Sequence, residues 1–126
     1  MIKTNNLRKG NKVYYENEFV TIDEINYDSN VVTVVYPQKS VTCTTHSIEP
    51  IPILSRTFGI LNASRPFGDF RIRISSLFFI EMQIGLVECD ENYKPKNESH
   101  IYRYIHQIQN LYFEQTGEEL PIFPFA

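Results

Sequence analysis

Residues 7–53 repeat one unit several times over, a short β-branched or aromatic run followed by a turn, and that rhythm leaves few folds open. Val13-Tyr14-Tyr15 runs into the turn Glu16-Asn17-Glu18. Phe19, Thr21, Asp23 and Ile25 then alternate with Val20, Ile22 and Glu24, and Asp28-Ser29-Asn30 makes a second turn. Val31 to Tyr36 is β-branched enough to be a strand, Pro37 stops it, and Val41 to Thr45 supplies another. His46 to Pro50 reads as a single tight turn before Ile51 and Ile53. Strands this short and this closely joined span too few residues for a sandwich. They curl into a small SH3-like barrel.

The rest of the chain changes period twice. Leu54, Phe58 and Leu61 are spaced for a short helix within 54–68, punctuated by Gly59, Pro66 and Gly68. From Asp69 the period is two: Phe70, Ile72 and Ile74 alternate with Arg71, Arg73 and Ser75, which predicts a strand with one buried face. Leu77 to Ile84 is a second strand and Val87 to Cys89 a third, followed by the polar loop DENYKPKNES. A helix is predicted over 99–116, with Ser99 as its N-cap and Gly117 as its left-handed terminator. At about 100° per residue, Ile101, Tyr104, Ile105, Ile108, Leu111 and Tyr112 form its core face, and Arg103, Gln107, Asn110 and Glu114 the opposite face. Between them runs a stripe of Tyr102, His106, Gln109 and Phe113, half aromatic and half polar. The expected fold is therefore α+β and mostly β. An N-terminal SH3-like small barrel, 1–53, is followed by a small antiparallel sheet packed by one C-terminal amphipathic helix with an extended tail, 54–126, the two sharing one core.

Composition narrows the function classes. A 126-residue chain with 42% hydrophobic and 21% charged residues is suited to a single globular unit. No run approaches the ~18 apolar residues of a membrane span, and the first residues lack a signal-like apolar stretch, so a cytoplasmic protein is expected. Cys43 and Cys89 are expected to be reduced. The net charge of −3 is unevenly placed. Lys3, Arg8, Lys9 and Lys12 precede Tyr14 and Tyr15, whereas Glu16, Glu18, Asp23, Glu24 and Asp28 follow with no base among them. Lys3, Arg8, Lys9, Lys12 and Tyr14 are therefore nucleic-acid candidates, cations for phosphates and a ring for a base, against the plainer reading of a solvated segment offsetting the acids.

Reaction signatures are missing from the sequence. His46, His100 and His106 are the only histidines. Cys43 and His46 make a C-x-x-H half-site with Cys89 as a conceivable third ligand, short of the paired ligands a structural zinc site uses. There is no phosphate-cradling glycine loop and no nucleophile elbow. The expectation is a protein that is not an enzyme and has no cofactor or metal. Tyr102, His106, Gln109 and Phe113 are its partner-binding candidates, with a structural clasp as the alternative use of the same side chains.

Three segments carry a family likeness: Leu7, Arg8, Gly10, Asn11 and Val13; Ile48 to Pro52; and Ile105 to Phe113 with Thr116 to Leu120. Together they resemble a family of small uncharacterised proteins from Bacteroidetes and their phages and mobile elements. Those proteins open on a Leu-Arg-x-Gly-Asn-x-Val strand and end in a His-Gln-Leu-Gln-Asn-Leu-Tyr-Phe helix closed by Thr-Gly-Glu-Glu-Leu. The tail PIFPFA extends beyond the family's usual end. The resemblance implies source and fold and carries no activity. The expected role is non-enzymatic protein binding or scaffolding in a phage or mobile-element setting, with a weak nucleic-acid-binding accessory protein as the alternative. The partner is an unknown protein and no membrane is involved. Leu120, Ile122, Phe123 and Phe125 require the tail to dock, on its own chain as a monomer or by exchange in a homodimer.

Overall fold

The computed structural model describes residues 2–54, 61, 63, 64 and 70–122. The chain divides into two compact units, Met1–Ile51 and Pro52–Ala126. In the first, strands β1 (Lys12–Tyr15), β2 (Glu18–Asn26), β3 (Val31–Val35), β4 (Ser40–Thr44) and β5 (Ile48–Glu49) form one antiparallel sheet in the order β4-β3-β2-β1-β5. The return of β5 to β1 curls the sheet into the SH3-like half-barrel. The expected tight turn at 46–50 is instead a 3-10 turn, Thr45–Ser47, which frees Ile48 and Glu49 to pair with Tyr15 and Tyr14.

Turn chemistry explains why the hairpins close where they do. Glu16 and Asn17 both have positive φ, 50° and 63°, the two-residue geometry whose twist matches the flanking strands. Asn26 Oδ1 accepts from the Asp28 and Ser29 N–H groups at 3.1 and 3.2 Å, folding the start of the next turn. Between Ile22 and Glu24 the register with β3 shifts, so Asp23 and Glu24 both face solvent and the strand bends. Val13, Val20, Ile22, Val32, Val34 and Ile48 fill the barrel, joined by Ile2 and Leu7 from the N-terminal segment.

The Leu-Arg-x-Gly-Asn segment is a built turn. Gly10 has φ 97°, a conformation that favours glycine, and its N–H donates to the Ile22 carbonyl at 2.8 Å. Asn11, fully buried, accepts the Arg8 N–H on Oδ1 at 2.8 Å. These residues anchor the chain's entry into β1.

In the second unit β6 (Ala63–Ser64), β7 (Arg71–Ile74), β8 (Leu77–Met82) and β9 (Gly85–Cys89) lie antiparallel in that order. The helix expected within 54–68 falls largely on residues outside those described; Ala63–Ser64 there is extended. Ile72 and Ile74 are buried while Arg71 and Arg73 face out, as the alternation predicts. Phe70, expected on the buried face, is 67% exposed because β7 begins only at Arg71. β8 stops at Met82, and 83–84 form the turn to β9 rather than more strand.

The helix α1 spans Ile105–Thr116, starting six residues, or about 1.7 turns, later than the sequence predicts. Ser99 does not cap it: its N–H and hydroxyl both donate to Asn97 Oδ1 in a local turn. Extended backbone runs up to the helix because Tyr102 exchanges two hydrogen bonds with Leu86, each 2.8 Å, along the outer edge of β9. A backbone spent on that edge cannot also close helical bonds. The Ile53 N–H adds a bond to the Arg103 carbonyl at 2.9 Å. At the other end Gly117, φ 74°, terminates the helix with its N–H on the Phe113 carbonyl. Helix and sheet are tied by Ser75 Oγ to the Tyr112 hydroxyl, 3.3 Å, and by Gln115 Nε2 to Glu88 Oε2, 2.8 Å. Among the described residues no helix is long and apolar enough to cross a membrane.

Candidate binding surfaces

The stripe Tyr102, His106, Gln109 and Phe113 does not form one surface. Tyr102 lies before the helix, half-buried, with its ring edge-on to Phe79 at 6.2 Å. His106 and Gln109 are 4% and 1% exposed and belong to the interior. Only Phe113 is exposed. The expected separation of faces fails because the buried arc runs through Ile105, His106, Ile108, Gln109 and Tyr112, wider than an apolar-only count allows, whereas Leu111 is only half-buried.

Gln107 and His106 each have a structural setting. Gln107 Oε1 accepts from the Arg103 and Tyr104 N–H groups at 2.8 and 3.0 Å, satisfying two donors as the chain enters α1. That is the reciprocal half of a capping box, on a residue the periodicity places on the solvated face. His106 stacks nearly parallel to Tyr104, ring centroids 6.0 Å apart at 12°. Its Nδ1 is buried without a hydrogen-bond partner, and burial lowers its pKa from 6.5 to about 4. A histidine so placed stays neutral near pH 7.

The basic N-terminal candidates are likewise divided. Lys3 and Lys9 are exposed. Arg8 Nη1 donates to the Lys9 carbonyl at 2.9 Å, and Lys12 Nζ to Thr21 Oγ1 at 2.5 Å across the β1–β2 pair. Tyr14 stacks on Phe19 with centroids 4.9 Å apart, so one ring face is already occupied. Among the described residues no three His, Cys, Asp or Glu side chains gather as metal ligands. Burial raises the thiol pKa of both Cys43 and Cys89 and keeps them protonated.

The second unit offers a surface that the strand pattern hid. A groove of about 380 Å³ is lined by Ile53, Leu54, Phe70, Met82, Gly85 and Leu86, with Glu81 and Gln83 at its polar side. Phe70 is the most exposed large apolar residue there, and Leu54, Met82 and the adjacent Ile84 stand between 43% and 53% exposed. Phe70 and Ile84 lie just outside strands, where the period of two no longer dictates burial, and Met82 closes β8 on its outward face. The one available sequence signal was that apolar residues, Met82 and Ile84, continue past Glu81 into the 83–84 turn. Of the tail, Leu120 is buried and Ile122 half-buried, while Phe123 and Phe125 lie outside the described residues.

No family model matches the chain, and no match was found among curated proteins or solved structures.

Proposed function

We propose that this is a non-enzymatic binding or scaffolding protein of mobile-element or phage type, and that it holds an apolar segment of a partner protein on the Leu54, Phe70, Met82 and Ile84 face. The carrying observation is that face itself: Leu54, Phe70 and Met82 line a groove with their side chains largely in water, and Ile84 stands exposed beside them in the 83–84 turn. Isolated exposed apolar residues are ordinary on any surface, but a cluster beside a groove is the form partner sites take. The helix surface supports the structural-clasp use of its polar residues, with Gln107 as the clasp.

A photo-crosslinking amino acid placed at Phe70 or Ile84, in the cells that naturally express the chain, tests the reading. A discrete adduct that disappears with Met82→Asp and survives Lys9→Ala supports it. Adducts that ignore Met82→Asp overturn it. The nucleic-acid alternative rests on Lys3 and Lys9 as exposed cations, since Arg8 and Lys12 have acceptors within the barrel unit. A salt titration of binding to short DNA and RNA decides it, with affinity falling steeply as salt rises if phosphates are the ligand.

A further inference from the structure

At the end of the barrel that carries the Glu16–Asn17 turn, Tyr15 and Tyr36 meet edge to face, with ring centroids 6.3 Å apart and planes at 71°. Tyr15 closes β1 and Tyr36 follows β3; both pack against the barrel core and both keep part of their surface in solvent. The rings are therefore held by the interior and open on one side. The turn Tyr36-Pro37-Gln38-Lys39 is closed by the Tyr36 N–H on the Lys39 carbonyl at 2.8 Å, and this brings the Lys39 side chain back over its own turn. Lys39 Nζ stands 4.6 Å from the centroid of the Tyr36 ring. That is the distance at which a ring face attracts a cation.

The surroundings are acidic. Glu18 is the cross-strand partner of Tyr15, Glu16 is its sequence neighbour, and both carboxylates are exposed. Burial first, then Glu18 and Glu16, raise the pKa of the Tyr36 phenol, and burial followed by Glu16 raises that of Tyr15. Residues 16–28 carry five acids and no base. Two rings near a right angle, with carboxylates beside them, combine the ring faces and the negative field that bind an ammonium group.

We propose that the Tyr15–Tyr36 corner, with Glu16 and Glu18, is a receptor for a lysine side chain of a partner protein, and that in the free chain Lys39 occupies it and yields to the incoming ammonium. The occupant follows from the chemistry present: the group seated on Tyr36 is an ammonium, the nearby carboxylates complement it, and an exposed lysine on a ring face is held weakly enough to exchange. This site is independent of the apolar face of the second unit, and its failure leaves that reading untouched.

The test uses the full chain labelled with nitrogen-15 and titrated with a short oligolysine blocked at both ends, followed by NMR. The expected result is a saturable shift centred on the amides of Tyr15, Glu16, Tyr36 and Lys39. Lys39→Ala removes the internal competitor and tightens binding about two- to five-fold. Tyr36→Phe keeps the affinity and Tyr36→Leu loses it several-fold. Equal affinity for Tyr36→Leu and the unaltered chain, with loss only in a Glu16→Gln, Glu18→Gln double variant, reduces the effect to diffuse charge attraction and overturns the proposal. Absence of shifts at the corner overturns it directly. If Tyr36→Leu loses its dispersed spectrum, Lys39→Ala decides alone, and no tightening there counts against the site.

Discussion

Acidifying this protein should weaken it well above the pH at which carboxylates protonate, and His106 is the reason. Its ring is 4% exposed, its Nδ1 has no hydrogen-bond partner, and its pKa falls from 6.5 to about 4 on burial. The unfolded chain therefore binds a proton near pH 6.5 that the folded chain refuses until about pH 4. Between those values the unfolded state holds more protons, so stability rises with pH through the window and is lost as pH falls through it. Taken alone, this group costs the fold about 2 kcal/mol on going from neutrality to about pH 5, and about 3 kcal/mol by about pH 4. Asp90, whose carboxylate pKa is lowered chiefly by the Lys94 N–H, acts in a more acidic window, below its ordinary 3.8. Urea denaturation across this pH range, on the unaltered chain and on His106→Phe, isolates the histidine: the difference between the two should be flat above neutrality and shrink toward acid in favour of the variant. Titration of the His106 ring by NMR gives the pKa itself. A measured pKa at or above 6.5, or parallel stability curves for the two proteins down to about pH 4.5, would falsify the assignment of His106 to the interior as a neutral ring.

Further substitutions address the packing. A Cβ on Gly85 would press on the Tyr102 carbonyl oxygen and lie 2.8 Å from Ile101 Cγ2, so Gly85→Ala should cost about 2–4 kcal/mol by prising the 101–103 segment off β9, read as a lower urea midpoint and faster amide exchange at Leu86 and Tyr102. Gln107→Ala should cost about 1 kcal/mol through lost capping, and Gln107→Glu, which keeps the acceptor and favours the helix dipole, should cost little; equal losses for both would refute the capping role. Ile108→Ala should destabilise by about 2–5 kcal/mol, and Leu111→Ala, half-buried, by clearly less. Leu120→Ala, at a buried position beyond the helix, should lower the melting temperature as well, and an unchanged value would show that the start of the tail contributes nothing.

The barrel was legible because its signals are local. Period-two runs, turns at 16–18 and 28–30, and the stop at Pro37 each state a strand end to within a residue or two, and consecutive hairpins leave little topology to choose. What local pattern could not supply was the return of β5, since Ile48 and Glu49 are strand only because β1 offers an edge to them. A two-residue strand has no periodicity to read.

The same limit, reversed, explains the start of the helix. In Ile101-Tyr102-Arg103-Tyr104 the apolar side chains suit a helical face, and nothing within the segment reports that Leu86 requires the Tyr102 backbone as an edge partner. Long-range pairing overrode a pattern that favoured helix. Once the helix is shortened, Gln107 moves from mid-helix to its third position, where a glutamine side chain can turn back to the free N–H groups. Gln107 is then placed by where the helix starts, and His106 and Gln109 lie in the interior. Phe70 inverts the error: a period that predicts burial inside a strand says nothing one residue before its start, and there the ring remains in solvent, while Met82, last in β8, falls on the outward face of its own alternation.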